Sequence, residues 1–496
     1  MRFHQLQIIL ILLFMSLFLG LGKRGTAQNK TLTLEQVLAL AKEQSPDVVL
    51  AKHRFRSSYW EFRSYKASRL PSLALNSTLL GFSRSYMPVS QDDGSTRYIS
   101  VQDNTSSVSA QINQNVGFTG GYFYIESGLA RFDNLVTDTT VFRSIPLMIG
   151  YSQPTLQFNQ FRWEKKIEPL KYEEAKKEYI RKLEEISEKA VNYFYDLALS
   201  QLNVDIAEMN YNNNDTIFKI SQGRYNIGTI AENDLLQSEL ALLNSKSDLA
   251  QSRINLAISK FRLRSFLGFN DLVDIQLILQ DSVPAFEIQT NKAIQQAVEN
   301  SGTILSLQRQ IIESERDVAK AKAENRFNAE LYASFGLNQA SGYLSGAYER
   351  PENQQQANLG IRIPILDWGQ GKGRYRMAQS QQEVVKTQVE QARIDFEQQV
   401  LLKVMQFNEQ DDQVLIASKA DEIARKRYEV TKQRFLIGKI GVLDLNIASQ
   451  EKDLAQRSYI QAQKTYWTYY YNIRQYTLYD FHQQIPLEFD LKELEY

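Results

Sequence analysis

The chain has 496 residues, with 57 basic against 57 acidic side chains and no cysteine. A neutral chain lacks the clustered basic excess that marks nucleic-acid binding, so no nucleic-acid partner is expected. The absence of cysteine excludes disulfides, thiol catalysis and cysteine-ligated metal sites.

The first 27 residues are predicted to be a secretory signal peptide. Arg2 gives a positive start, residues 8–21 form an apolar run, and Gly25, Thr26 and Ala27 supply small residues for cleavage. The run of about 14 residues is shorter than the roughly 20 that a bilayer-spanning helix needs, which disfavours a membrane anchor. We therefore expect an exported protein that begins at Gln28.

The stretch between residues 72 and 155 is predicted to contain strands. Val108, Ala110 and Ile112 occupy every second position and are separated by polar residues. This alternation over about ten residues is typical of a membrane β-barrel with a wet lumen, and it is just as typical of a half-buried soluble sheet. No apolar run of bilayer length follows residue 27, so the exported chain would cross a membrane only as β-structure.

Residues 161–221 and 373–432 are predicted to form two very long helices. Neither stretch has an internal glycine, and Pro169 is the only proline in them. At 1.5 Å per residue each helix would run roughly 90 Å. An apolar stripe at spacings of three and four, which includes Val389 and Phe396, suits coiled-coil packing against neighbouring helices.

The first long helix is followed by a motif that recurs 210 residues later (434 − 224 = 210). RYNIGTIAENDL at Arg224–Leu235 returns as RFLIGKIGVLDL at Arg434–Leu445. Gly228 and Gly438 are expected to adopt a backbone conformation that other residues resist, which ends the helix and lets the chain reverse. Each motif is therefore predicted to be the tip of a helical hairpin.

A repeat this long indicates duplication of a whole structural half, and it divides the exported chain into residues 28–280 and 281–496. The second copy is predicted to place its strands within residues 329–366. Its opening helix matches the first at a shift of 256 residues, so the first copy carries an insertion of 256 − 210 = 46 residues between about 71 and 150. The insertion is polar and rich in turns, and we expect it to project outward as exposed loops.

The combination of a signal peptide, two tandem halves, alternating strands and R-[YF]-x-I-G-x-I-x-x-x-D-L at each tip resembles the TolC-like outer-membrane efflux channels. Leu34–Ala41, Arg69–Ser72 and Ile363–Gly369 are also similar to that family. The resemblance implies a mainly α-helical chain with a β-barrel part. Long coiled-coil helices would form a periplasmic α-barrel, and each protomer would give four strands to a trimeric 12-stranded transmembrane β-barrel. Up to six alternating stretches can be counted, two of them in the insertion, but four strands are expected.

The same resemblance implies a homotrimer in the outer membrane of a Gram-negative bacterium, in contact with its lipid and with the helical part in the periplasm. It would be the exit duct of a tripartite export system, passively conducting what an inner-membrane pump and a periplasmic adaptor (membrane fusion protein) deliver. The competing interpretation is a pore-less coiled-coil adaptor that bridges the periplasm, with a compact β domain and no lipid-facing strand faces. No motif indicates catalysis, a cofactor or a metal site.

Arg224 and Arg434 lie one helical turn before Gly228 and Gly438, at the predicted tips. One interpretation is a solvated cation near a helix C-terminus. The functional interpretation, which follows from the resemblance, is docking of the adaptor's helical hairpin, for which arginine supplies planar hydrogen bonds.

Asp234 and Asp444 precede the returning helices and could cap or charge-stabilise their N-termini. The resemblance places Asp444 where the family has an aspartate ring that narrows the periplasmic entrance, and three such carboxylates would favour cations. We assign Asp444, with its counterpart Asp234, to a periplasmic gate. The family's second acidic residue, three positions on, is Ile447 here, which weakens the expected ring.

Phe158 and Trp368 are also 210 residues apart (368 − 158 = 210), and each follows the last predicted strand of its copy. Aromatic girdles flank the apolar band of membrane barrels. We therefore predict that both are interfacial aromatics.

Overall fold

The computed structural model describes residues 28–269, 273–280, 282–437, 439–440 and 442–490. The predicted signal peptide, residues 1–27, lies outside them. The described chain divides into two compact units, one drawn from within residues 1–54, 177–301 and 397–491, the other from within 55–176 and 302–396. Each unit takes segments from both predicted copies, so the expected boundary between residues 280 and 281 does not separate the two units.

The described residues form nine α-helices. They are α1 (Leu34–Gln44), α2 (Pro46–Ala67), α3 (Gln160–Asn226), α4 (Glu232–Leu267), α5 (Thr290–Asn300), α6 (Gly302–Glu324), α7 (Gln370–Asn408), α8 (Gln410–Leu436) and α9 (Val442–Thr477). No helix in that part of the chain combines the length and the apolar character that a bilayer crossing needs.

The helix boundaries follow the two shifts seen in the sequence. α5 and α6 begin where the larger shift places the counterparts of α1 and α2 (290 − 34 = 302 − 46 = 256). α7 and α9 begin where the smaller shift places the counterparts of α3 and α4 (370 − 160 = 442 − 232 = 210). The two copies therefore have the same helical plan.

Polar side chains start these helices. The N–H of Gln36 donates to Thr33 Oγ1 at 3.4 Å and the N–H of Thr33 donates to Gln36 Oε1 at 3.0 Å, which closes a capping box at the start of α1. At the start of α7, Asp367 accepts from the N–H groups of Gly371 and Gly369 at 2.8 and 2.9 Å. These hydrogen bonds hold the pKa of the Asp367 carboxyl below its usual range, because they stabilise its charged form.

The first predicted long helix is confirmed as the single 67-residue helix α3. The second is interrupted at Glu409, between α7 and α8. At this interruption Asn408 Oδ1 accepts from the N–H of Ile288 and Asn408 Nδ2 donates to its carbonyl, both at 3.0 Å, while Asp411 Oδ2 accepts from the N–H of Phe286 at 3.0 Å. The helix breaks where a loop from a distant part of the chain is bound.

The first of the two units, drawn from within residues 1–54, 177–301 and 397–491 and called the helical unit below, buries a network of charges. Arg474 lies 2.7 Å from a carboxylate oxygen of Glu184 and 2.7 Å from one of Asp480, and Lys42 lies 2.7 Å from the other oxygen of Glu184. Glu184 and Asp480 are each only 3% exposed. Their negative charges are tolerated inside the unit because cations are held against them.

The other unit contains an antiparallel sheet of six strands, which follow one another across the sheet in chain order. Its strands are β2 (Ser72–Ser90), β3 (Thr96–Val116), β4 (Gly121–Asn134), β5 (Thr139–Thr155), β7 (Asn328–Ser341) and β8 (Glu352–Arg362). Four short strands lie in the helical unit, in two pairs: β1 (Gln28–Leu32) with β6 (Val273–Leu277), and β9 (Tyr479–Asp480) with β10 (Ile485–Pro486).

The expectation of four strands per chain is wrong, because the described chain places six strands in this sheet. β7 begins where the larger shift places the counterpart of β2 (328 − 72 = 256), and the smaller shift carries β5 onto the stretch that contains β8. The additional pair is therefore β3 and β4.

The expectation that the insertion projects as exposed loops is wrong for the same reason. Its alternating side chains give it two distinct faces, and a segment with two such faces joins a sheet.

The two faces of this sheet differ in chemistry. One face is apolar across all six strands, and twelve of its large side chains are at least 38% exposed: Leu73, Leu75, Val108, Ile112, Phe123, Ile125, Leu147, Ile149, Leu331, Phe335, Leu359 and Ile361. The opposite face is polar, with Asn76, Gln111, Glu126, Ser334 and Asn358 among its residues. A half-buried soluble sheet would cover its apolar face, whereas a wall between lipid and a wet lumen exposes it. The arrangement favours the membrane interpretation that the sequence left open.

Candidate functional site: the two helical hairpin tips

The first tip is closed by a capped turn. α3 ends at Asn226, and Gly228 follows with a φ of 73°, the left-handed conformation expected from the sequence. The N–H of Thr229 donates to the carbonyl of Arg224 at 2.9 Å, and the N–H of Gly228 donates to that of Tyr225 at 2.9 Å. These two hydrogen bonds form a Schellman motif, which satisfies the last carbonyls of the helix.

The second tip repeats this hydrogen bonding. The N–H of Lys439 donates to the carbonyl of Arg434 at 2.9 Å, and the N–H of Ile437 donates to that of Gln433 at 3.3 Å. Lys439 and Arg434 are the counterparts of Thr229 and Arg224, so the two copies end their long helices with the same 6→1 hydrogen bond. Gly438 lies outside the described residues.

Each tip exposes an arginine beside an isoleucine. Arg224 and Arg434 are both exposed. Ile227 is 75% exposed and Ile437 is 65% exposed. The two isoleucines were not assigned a role from the sequence, although both motifs place isoleucine directly before the glycine. Each tip therefore presents an exposed apolar side chain three residues after an exposed arginine.

Asp234 and Asp444 occupy the third position of α4 and α9, and both are exposed. Asp234 Oδ2 accepts from the N–H of Ala231 at 3.4 Å, which satisfies a backbone donor at the start of α4. This contact agrees with the capping interpretation of Asp234. The gate interpretation of Asp444 concerns contacts between copies of the chain.

A polar cluster joins the two hairpins near their tips, beside a cleft of about 360 Å³. Asn213 Nδ2 donates to the Tyr428 hydroxyl at 3.4 Å and Asn210 Nδ2 donates to Asp453 Oδ2 at 3.1 Å. Lys452 Nζ lies 3.2 Å from Asp453 Oδ1 and 4.4 Å from the centroid of the Tyr428 ring. Burial raises the pKa of Tyr428. No local sequence pattern indicates this cluster, since its members lie on three different helices.

Phe158 and Trp368 lie where strands pass into helices. Phe158 is half-buried between β5 and α3, and Trp368 is 90% exposed between β8 and α7. Ile365, three residues before Trp368, is 94% exposed. The second exit therefore presents a large apolar surface directly after the last strand. Among the described residues, no group of three or more acidic or histidine side chains is placed to hold a metal ion.

The chain matches a family model and several solved structures. The model described as outer membrane efflux protein matches residues 37–269 and 293–477. The CmeC outer membrane channel of Campylobacter jejuni is similar, with 15% sequence identity, a TM-score of 0.66, and coverage of 93% of this chain and 89% of that chain. The outer membrane protein VceC of Vibrio cholerae is similar with 13% sequence identity, a TM-score of 0.62, and coverage of 92% of this chain and 97% of that chain. The open state of the MtrE outer membrane channel of Neisseria gonorrhoeae is similar with 16% sequence identity, a TM-score of 0.51, and coverage of 92% of this chain and 91% of that chain.

A search of curated proteins gives no match. At identities of 13–16% the structural matches show the shared fold, and they confirm the predicted TolC-like architecture of long helices with a β part. The family match covers most of the chain, and nothing in the comparisons favours the pore-less adaptor. The chain therefore belongs to the outer membrane efflux protein family, as the outer-membrane exit duct of an efflux system with its helical part in the periplasm.

Proposed function

We propose that the protein works as a homotrimer whose six helical hairpin tips, two per protomer, dock a periplasmic adaptor that connects it to an inner-membrane pump. The observation that carries the proposal is the equivalence of the two tips. Each tip ends with the same backbone hydrogen bond and exposes an arginine three residues before an isoleucine. A guanidinium group offers several hydrogen-bond donors in fixed directions. Removing an exposed isoleucine side chain from water by contact with a partner is favourable in free energy.

Charge reversal at the tips tests this docking. In the double variant Arg224→Glu/Arg434→Glu, we expect the trimer to persist and the adaptor contact to be lost, because the arginine donors are replaced by carboxylates that only accept hydrogen bonds. A single cysteine at position 227, Ile227→Cys, allows thiol crosslinking to the co-expressed adaptor, since the chain has no cysteine of its own. The crosslinked fraction is expected to fall at least about tenfold, which corresponds to ~1.4 kcal/mol.

The matched control is Arg262→Glu, which reverses the charge of an exposed arginine on α4 away from the tip. It should crosslink like the parent. An unchanged crosslink in the double variant would contradict the docking role of both arginines.

We also propose that three Asp444 carboxylates, one from each protomer, narrow the periplasmic entrance and favour cations. The proposal rests on the position of Asp444, exposed in the first turn of α9 directly after the second tip. Asp444→Asn should move the reversal potential in a planar bilayer under a KCl gradient toward that of a non-selective pore, because the ring of negative charge is removed. Asp234→Asn, at the counterpart position, should move the reversal potential less, since Asp234 accepts from the N–H of Ala231 at the start of its own helix. Equal selectivity in the Asp444→Asn variant and the parent would refute the gate.

A further inference from the structure

We propose that each protomer gives six strands, rather than four, to one closed wall, so that the homotrimer forms an 18-stranded β-barrel. The inference rests on the trimer of the proposed function. It gives the duct a wider lumen than the 12-stranded barrel expected from the sequence, with room for a structured polypeptide segment.

The two additional strands have the same two faces as the rest of the sheet. On the apolar face Ile112 of β3 lies opposite Ile125 of β4, and on the polar face Gln111 lies opposite Glu126. β3 and β4 are paired along most of their length with β2 and β5 as well. A flap outside the membrane would not need an exposed apolar face that continues that of its neighbours. The pair therefore belongs to the lipid-facing wall.

The turn of the additional hairpin lies at the level of the strand-to-helix junctions. The turn between β3 and β4 is held there by Asn159, whose Nδ2 donates to the carbonyls of Gly117 and Phe118, each at 3.1 Å. Asn159 directly precedes α3. β3 and β4 therefore both reach the level at which β5 passes into α3.

β2 and β8 are the edges of the sheet, and each has one side without a strand partner among the described residues. Unsatisfied backbone groups in hydrocarbon cost several kcal/mol each, so such edges do not persist in a bilayer. Pairing β8 of one copy with β2 of the next satisfies both edges at once. It is a head-to-tail contact that closes into a ring when the rotation between copies allows it.

The register of the sheet is staggered along its strands, as it is in the tilted wall of a barrel. Directly opposed residues lead across the six strands from Ser72 to Asn113, Tyr124, Gly150, Ser334 and Gln356 in turn. Ser72 is the first residue of β2, whereas Gln356 lies well inside β8, which ends at Arg362 (362 − 356 = 6).

We assume that the end of β8 lies at the same height as the start of β2 in the next copy. The stagger is then about six residues of about 3.3 Å each along the strands, and it develops over six strand spacings of about 4.7 Å each. The ratio of these two lengths corresponds to a strand tilt of about 35°. The tilt lies at the value found in closed barrels, where tilts are roughly 35–45°.

The same stagger predicts the contact between copies. With the ends of β8 and the next β2 level, Arg362 lies beside Ser72, and Asn358 lies opposite Asn76 (72 + 362 = 76 + 358 = 434). Leu359 then lies opposite Leu75, on the apolar face. An even stagger keeps apolar side chains beside apolar ones, whereas a slip of one residue would place them against the polar face.

The additional strands increase the diameter of the barrel by about half. At about 4.7 Å per strand and about 35° of tilt, 18 strands give a backbone diameter of about 33 Å, against about 22 Å for 12 strands. Side chains on the polar face are kept close to the wall, as Tyr124 shows: it lies across Gly150, where an added Cβ would come within 2.1 Å of its ring, and its hydroxyl bonds to that of Tyr332. An α-helix about 10–12 Å across fits within such a lumen.

Two cysteine pairs in the full-length protein test the wall. Asn76→Cys with Asn358→Cys should give covalent dimers and trimers on oxidation, because the two positions meet between copies. Asn76→Cys with Ser152→Cys should give no disulfide, because β3 and β4 separate β2 from β5 by about 14 Å, well beyond the roughly 7 Å that a disulfide can bridge between Cα atoms. Electron cryomicroscopy of the purified parent should count 18 strands in the wall.

Each outcome decides a different claim. A disulfide between positions 76 and 152, or a 12-stranded wall in an intact trimer, would overturn the inference and leave the proposed function standing. Absence of the disulfide between positions 76 and 358 in an intact trimer would overturn the proposed register. Failure to recover any trimer from outer membranes would overturn the homotrimer itself.

Discussion

Arg474 lies between two buried carboxylates, and its removal would take from each of them a cation that lies 2.7 Å away. Glu184 and Asp480 lie on different elements, so the guanidinium fastens the end of α9 to α3 and to the segment that follows α9. A buried charge that has lost its partner is more costly than a missing hydrogen bond. The network is therefore a structural fastening of the helical unit.

Arg474→Met should lower the free energy of unfolding by about 3–5 kcal/mol, because it leaves Glu184 and Asp480 buried without this cation. Thermal unfolding followed by circular dichroism in detergent measures the loss. Arg474→Lys is the control and should lose less, since a cation remains in place. A melting curve of Arg474→Met that overlays the parent would show that water reaches these carboxylates.

The conformation or hydrogen bonding of a single residue can be predicted from the sequence where it depends only on neighbouring residues in the chain. Gly228 is expected to be left-handed because it ends a helix, and its φ of 73° agrees. The cap at Asp234 is likewise one of two stated interpretations. The cluster of Asn210, Tyr428 and Lys452 could not be predicted, because its members come together only when two hairpins pack.

At the scale of elements, the break between α7 and α8 shows how a tertiary contact sets a helix boundary. Asn408 and Asp411 lie next to the break and bind a loop more than 100 residues earlier in the chain. The sequence around Glu409 contains no glycine or proline, so the local pattern predicts an unbroken helix.

Asn408→Leu should free the loop around Ile288, because both hydrogen bonds to that residue are lost, at a cost of about 1–3 kcal/mol. Hydrogen exchange of the Ile288 amide is expected to accelerate, and proteolysis between residues 282 and 289 is expected to increase. Asn408→Asp keeps the acceptor for the Ile288 N–H and should give an intermediate rate. Unchanged exchange in Asn408→Leu would mean that other contacts hold the loop.

The strands illustrate the opposite case, in which the pattern is informative and the expected number is wrong. Alternation identifies β3, β7 and β8, and up to six such stretches can be counted. The family resemblance favours four, and a polar, turn-rich insertion looks the same in sequence whether it forms loops or a hairpin in a wall. Only the pairing of β3 with β2 and of β4 with β5 distinguishes the two.

For the whole molecule, the exposed apolar face of the sheet is the feature that requires a membrane. Neighbouring residues of β8 point to opposite faces, with Leu359 on the apolar side and Asn358 on the polar side. This neighbouring pair allows the two environments to be compared at nearly the same depth.

Leu359→Lys should impair membrane assembly, because a lysine on the lipid face costs about 2–4 kcal/mol near the bilayer midplane. The yield of heat-modifiable oligomer in outer-membrane extracts measures assembly. Asn358→Lys places the same charge on the polar face and should assemble like the parent. Equal yields of the two variants would contradict the assignment of the faces.

The turn that Asn159 holds between β3 and β4 has a consequence for how such a chain can change. An up-and-down pair of strands starts and finishes at the same level, so it can be gained or lost without displacing the helix before it or the helix after it. A single added strand would deliver the chain to the wrong side of the bilayer. The bore of the duct can therefore evolve in steps of two strands per subunit while the helices and their tips keep their lengths.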